Sequence, residues 1–323
     1  MKFAVGFPVC DDPDRPFVEV VDEFRDRIGE VYFAWPGEPS GRSAASDDGG
    51  FEESISAFRD MGVRLDLLFN ANCYGREAWS KALGERVARI VDQAQPDVVT
   101  TASPFIAQTL KSRDPNLELR ASVNMRIGTI EAAGYLADIF DSFYLQRDYN
   151  RDFDRLRDLK TWCDERGKRL LLLANSGCLR FCSTQTFHDN LVAHEAQVSQ
   201  TANVACEVLA CRSFLAWPEN LPALLQATWI RPEDLHHYEP YFPLVKLATR
   251  MHARPDFVLR AYAQGTYAGN LTDLLEPGHA HVLAGRTIDN ARFPDDWFRQ
   301  TSACNKKCHA CSYCRETLAR VCG

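Results

Sequence analysis

The chain has 323 residues, 46% apolar and 25% charged, with a net charge of −7. That balance suits a folded chain with a sizeable core and argues against disorder. The acidic excess removes any general attraction to phosphate backbones, so a nucleic-acid partner is not expected.

The opening MKFAVGFPVCDDPDRP has an apolar stretch too short, and too soon followed by acids, for a secretion signal. No run of apolar residues is long enough for a membrane span. A cytoplasmic location is therefore expected.

Taken in chain order, short β-branched-rich runs predict strands over Lys2–Phe7, Val31–Ala34, Arg64–Phe69, Asp97–Ala102, Leu117–Val123, Ser142–Leu145, Arg169–Ala174 and Thr228–Arg231. Between them, amphipathic patterns predict helices over Phe51–Met61, Arg76–Ala94, Ile130–Ile139 and Asp152–Arg166. In the last of these, Phe153, Leu156, Leu159 and Trp162 share an apolar face. Eight strands, most followed by a helix, predict an α/β fold of the (β/α)8 TIM-like barrel type. No Gly-rich dinucleotide loop follows the first strand, and no internal repeat is present.

Beyond Arg231 the pattern changes. Pro232 opens a helix with acids in its first turn. A strand-like Leu244–Ala248 follows, then a helix over Pro255–Gln264, a turn-rich stretch from Gly265 to Phe298, and a cysteine-rich tail. The expected organisation is a barrel over residues 1–250 and a helical, cysteine-rich C-terminal extension over 251–323. Residues just after barrel strands line the active face. Cys10, Asn70, Cys73, Asn175 and Cys178 fall at such positions.

Twelve cysteines in a reducing compartment point to metal or chemistry rather than disulfides. In Asn175-Ser176-Gly177-Cys178-Leu179-Arg180-Phe181-Cys182, Gly177 permits a tight turn, and a C-x3-C pair on it can aim two thiolates at one metal. Soft sulfur suits zinc or an iron–sulfur cluster. Cys206 and Cys211 would complete four ligands, against the alternative of cysteines packed as small apolar residues. His188 and His194 lack the i, i+4 spacing of a zinc helix and read as hydrogen-bonding partners.

The tail carries Cys304, Cys308, Cys311 and Cys314 in C-x3-C-x2-C-x2-C spacing, which fits a cluster or a structural zinc. Its first three cysteines match the radical-SAM spacing. That loop, however, follows an early strand in those barrels, so this reading is rejected.

Between Leu117 and Leu275 the chain resembles the collagenase-like peptidase family thirty-two (U32). RASVNM matches the family's Ser-x-x-x-Asn element through Ser122 and Asn124. SFYLQRD resembles its Leu-x-Arg-Glu segment, with Asp148 in place of the glutamate. NSGCLRFC stands where the signature cysteines stand, with C-x3-C replacing the longer spacing. WIRPEDL and LVKLATR, with Lys246 and Arg250, resemble its Lys-Ile-Glu-Gly-Arg segment, and YAGNLTDLL is also similar.

The family includes oxygen-independent ubiquinone-hydroxylation and RNA-base hydroxylation proteins, and the ubiquinone branch carries a 4Fe-4S cluster. The resemblance therefore implies a cluster on a barrel and hydroxylation of an aromatic or other small acceptor without dioxygen. Cys178, Cys182, Cys206 and Cys211 would hold the cluster, with Cys73 an alternative fourth ligand. One such cluster is expected, or two if the tail cysteines hold a second in place of zinc.

Lys246, Arg250 and His188 are the candidate catalytic residues. Lys246 and Arg250 would bind an anionic substrate or co-substrate, against the alternative of a surface ion pair. His188 would serve as base to Cys178 under the alternative of a peptidase or other hydrolase. A third reading is a non-catalytic electron-transfer subunit. The expected partners are a small-molecule substrate and a homologous subunit or electron donor.

Overall fold

The computed structural model describes residues 1–9, 12, 14–42, 50–201 and 209–323. Its first half alternates strand and helix: β1 (Lys2–Gly6), α1 (Phe17–Glu23), β2 (Ile28–Ala34), α2 (Phe51–Asp60), β3 (Arg64–Phe69) and α3 (Lys81–Ala94). Then come β4 (Val98–Thr101), α4 (Pro104–Arg113), β5 (Glu118–Ala121), α5 (Ile130–Gly134), β6 (Ser142–Tyr144), α6 (Phe153–Glu165) and β7 (Arg169–Leu171). Helix starts are written in the sequence. The Ser80, Ser103 and Asp152 side chains accept from the backbone N–H three residues on, opening α3, α4 and α6.

After β7 the chain makes a long excursion through α7 (Gln185–Ala193), α8 (Glu195–Val198), α9 (Ala210–Leu215) and α10 (Ala223–Gln226). It returns as β8 (Leu244–Lys246) and α11 (Pro255–Gln264). All eight strands pair in parallel, in the order β7-β6-β5-β4-β3-β2-β1-β8. The ring draws shut where Lys246 N donates to Leu172 O (2.9 Å) and Ala174 N to Lys246 O (3.0 Å). The fold is a nearly closed (β/α)8 TIM-like barrel.

Strands covered on both faces read as continuous apolar runs, and β3 and β4 are buried almost throughout. The main core packs strand side chains such as Phe3, Val31, Leu67 and Phe143 against the helices. A second cluster joins residues between 215 and 229 to residues between 271 and 321, including α12 (Trp297–Ser302) and α13 (Tyr313–Val321). None of the helices among the described residues is long and apolar enough to cross a membrane.

The eighth strand is Leu244–Lys246, not Thr228–Arg231. In the latter segment Ile230 N does reach Ala174 O (2.8 Å). Side chains, however, take its carbonyls: Asn150 Nδ2 donates to Thr228 O (3.2 Å) and Arg151 Nε to Trp229 O (3.1 Å). A backbone whose acceptors are capped this way cannot run a ladder. The fifth strand ends before Val123, because Ser122 Oγ takes the Asn124 N–H and starts a tight turn. The fifth helix stops at Gly134, and the third begins only at its Ser80 cap.

Candidate active site

The loops leaving the C-terminal ends of the strands bring Ser40–Arg42, Asn70, Asn124, Asp148, Asn175–Cys182 and Arg250 to one mouth. The cysteine turn is fixed from both sides. Asn175 Nδ2 donates to Ala248 O and Leu274 O (2.9 Å each), while its Oδ1 accepts from Ala248 N (2.6 Å). Glu276 N donates to Asn175 O (3.0 Å), and Gly177 N to Glu276 O (3.1 Å). A Cβ on Gly177 would lie 2.0 Å from Pro277 O, so the close approach of the two loops requires glycine. On the far side of the turn, Phe181 N donates to Asp148 Oδ1 (2.5 Å), which holds Phe181 at a φ of 50°.

Cys178 opens onto a cavity of about 720 Å³, together with Arg42, His188, Met251, Phe257 and Glu276. Arg42 is anchored by Glu276 (Nε–Oε1 3.1 Å) and its own Gly41 carbonyl (2.8 Å). Burial alone would lower the Arg42 guanidinium, but the fields of Glu276 and Cys178 raise it above its ordinary value. Burial and the nearby Arg42 charge lower the His188 imidazole, so it is more readily neutral than a free histidine. Its neighbour Asp189 ties α7 across the mouth, accepting from Arg126 Nη2 (3.1 Å) and Asn72 Nδ2 (3.2 Å).

Burial raises the Cys211 thiol, and the Cys178 and Cys182 sulfurs raise it further, so these three sit within one another's field. Cys206 and Cys10 lie outside the described residues. The Cys73 sulfur accepts from Gly75 N (3.4 Å), and His194 Nδ1 bonds Gln197 Oε1 (3.0 Å) at the surface. Among the described residues, no three His, Cys, Asp or Glu side chains converge on a point that could hold a metal ion. The donor chemistry still suits a thiophilic group, since three thiols share a field beside the Arg42 cation.

Lys246 and Arg250 take deeper positions. Both are buried and neither lines the cavity. The Lys246 ammonium sits 3.6 Å from the Tyr32 ring centroid and 5.1 Å from that of Tyr144. Burial pushes it down to about 8, although Asp66 and Glu30 favour its charge. Around it lies an ion network with no counterpart in the sequence expectations. Arg120 bridges Glu30 (2.5 and 3.0 Å) and Asp66 (3.4 Å) inside the barrel. Burial raises the Asp66 carboxyl above its ordinary range, with Glu30 adding to the rise. Arg250 Nη2 donates to Ser40 Oγ (2.8 Å), and burial drops its guanidinium to about 10.

Sequence reasoning thus missed Arg42, Glu276, Asp189 and the Glu30–Asp66–Arg120 set. Isolated charges in loops or strands carry no spacing signal. The buried strand acids were the nearest to a clue, since a charge inside an otherwise apolar run needs a partner.

A (β/α)8 barrel with a cysteine turn at its mouth is the class of protein these features define. No protein-family model matches the chain. An uncharacterized protease of Methanocaldococcus jannaschii is 24% identical over 306 residues, covering 90% of this chain and 88% of the relative. The solved structure of the U32 peptidase Mk0906 aligns with a TM-score of 0.53 at 14% identity, covering 76% of this chain and 91% of that one. The Mk0906 likeness bears on the fold, while the protease relative and the motifs at Ser122, Asn124, Cys178 and Lys246 make the chain similar to U32-like peptidases.

Proposed function

We propose that the chain is an iron–sulfur redox enzyme that hydroxylates an aromatic or other small acceptor without dioxygen. The reading rests on Cys178, which borders the 720 Å³ cavity and shares a field with Cys182 and Cys211. Those three, with Cys206, would hold a 4Fe-4S cluster. When bound, it would supply electron transfer at a potential set by its thiolates, nearby hydrogen bonds and burial.

The chain's own residues would shape what enters. Met251, Phe257 and Leu275 give the cavity apolar walls for a flat acceptor, while Arg42 offers its remaining N–H groups to a polar substituent. With water as the oxygen source, C–H plus water gives C–OH, two protons and two electrons. The electrons must leave to an accepting partner protein. His188, kept readily neutral at the cavity wall, would take one proton.

The test is iron and acid-labile sulfide per chain after oxygen-free purification, in wild type and in Cys178→Ser, Cys182→Ser and Cys211→Ser. About four of each should be lost in each variant. Iron contents unchanged by all three substitutions would exclude this centre.

A hydrolytic reading has one observation in its favour: Cys178 and His188 line the same cavity. It predicts that Cys178→Ser abolishes peptide cleavage by metal-free protein.

A further inference from the structure

The function proposed above leaves the tail cysteines unused, and they are built onto a feature that needs explaining. Arg151, just after β6, is buried. Its guanidinium donates to backbone oxygens, with Nε (3.1 Å) and Nη2 (2.6 Å) on Trp229 O and Nη1 on Leu225 O (3.1 Å). Two indoles flank it, with ring centroids at 4.4 Å (Trp229) and 5.1 Å (Trp297). Neutral carbonyls and rings orient a guanidinium but do not cancel its charge, and the Asp234 carboxylate whose field reaches it is already paired with Arg231 (2.9 Å). A buried cation is costly unless an anion accompanies it.

The cysteine-rich segment is fastened beside this residue at both ends. At the start, Lys306 lies between Cys304 and Cys308, and its Nζ donates to the carbonyls of Arg151 (3.2 Å) and Thr301 (2.6 Å). At the finish, Tyr313 stacks on Trp297 (5.9 Å, 19°), the same indole that covers Arg151. Its neighbour Cys314 packs against the second apolar cluster. That cluster contains Trp229 and Trp297, the two indoles that flank Arg151. The four-cysteine loop is thus pinned at both ends beside one buried positive charge, with its sulfurs not yet converged on a point.

We propose that Cys304, Cys308, Cys311 and Cys314 form a separate four-thiolate metal centre whose negative charge is partly offset by Arg151. Zinc(II) and a 4Fe-4S cluster in its 2+ state share the required chemistry, since either one on four thiolates carries a net charge of −2. Binding would draw the four sulfurs together and close the loop over the guanidinium. Arg151 is a positioning residue, acting on the metal through the thiolates' charge rather than by ligation. The centre would fix α12 and α13 against the barrel wall, far in sequence from the cysteine turn at the mouth.

The experiment uses the full chain purified without oxygen, with zinc, iron and sulfide counted in wild type, in the Cys308→Ser/Cys311→Ser double variant and in Cys178→Ser. The double variant should lose one centre that Cys178→Ser retains, read as about one zinc or about four iron and four sulfide. Arg151→Met should release that same metal to a chelator at least about tenfold faster, and Arg151→Lys should restore most of the retention.

Because Cys308 and Cys311 lie near the surface, the double variant remains informative if Arg151→Met fails to fold. Metal content identical in wild type and the double variant overturns the centre. Equal chelator release from Arg151→Met and wild type overturns the role of Arg151. Loss of iron from Cys178→Ser alone bears on the mouth and leaves this centre standing or falling on its own result.

Discussion

Replacing Lys246 with Met should make the protein more stable at neutral pH while removing a residue that the sequence marks as a catalytic candidate. The ammonium is buried beneath Tyr32 and Tyr144, and burial pulls it from 10.5 to about 8. A shift of that size corresponds to roughly 3 kcal/mol of destabilisation carried by the charged form. Met keeps most of the aliphatic stem but forfeits the cation–π contact with Tyr32, which at a desolvated site offsets about 2 kcal/mol. The expected net gain is on the order of 1 kcal/mol at pH 7.

The sign follows from proton linkage. Between about pH 8 and 10.5 the unfolded chain holds a proton on Lys246 that the folded chain has released. Wild-type stability therefore rises with pH across that window, and the advantage of the variant shrinks over it. Urea unfolding at pH 7.0 and pH 9.5 measures both effects. A Lys246→Met protein less stable than wild type at pH 7, or one whose difference from wild type is the same at both pH values, would refute the reasoning. Loss of turnover alongside a gain in stability would mark Lys246 as a residue kept for function at the expense of the fold.

Arg120→Met should be strongly destabilising, by about 3–5 kcal/mol, because it takes the central counter-ion from Glu30 and Asp66 inside the barrel and leaves Glu30 only the longer contact with Arg64 (3.9 Å). A denaturation midpoint close to wild type would contradict that. Gly177→Ala forces a methyl against Pro277 O and should cost about 1–3 kcal/mol, and it should lower iron retention if Cys178 holds the proposed cluster. Urea melts and iron content read the two consequences separately. Burial pushes the Cys163 thiol up to about 11, so iodoacetamide at pH 8 should spare Cys163 while modifying the exposed Cys304 and Cys311 in metal-free protein. Mass spectrometry of the alkylated peptides decides it.

Which parts of this molecule could be read from sequence follows from the range of the forces involved. Helix α11 is legible to the residue, because Pro255 and Gly265 act within a single turn at either end. The first seven strands are legible because burial on both faces leaves short, largely apolar runs, interrupted by charges where Glu30, Asp66 and Arg120 pair inside the barrel. The eighth failed: Thr228–Arg231 and Leu244–Ala248 are equally strand-like, and the choice between them was made by Asn150 and Arg151, which cap the carbonyls of Thr228 and Trp229 from some eighty residues away.

The site divides in the same manner. Cys178 and Cys182 announce themselves by spacing. The groups that give their turn its shape, Asn175, Glu276 and Asp148, act across long separations in the chain and leave no local pattern. Arg151 is the sharpest case. As one arginine in the run RDYNRD it carries no signal at all. The role proposed for it depends on Trp229, Trp297 and Cys314 arriving from three later segments, and only their meeting turns an ordinary surface residue type into a buried charge held by carbonyls and rings.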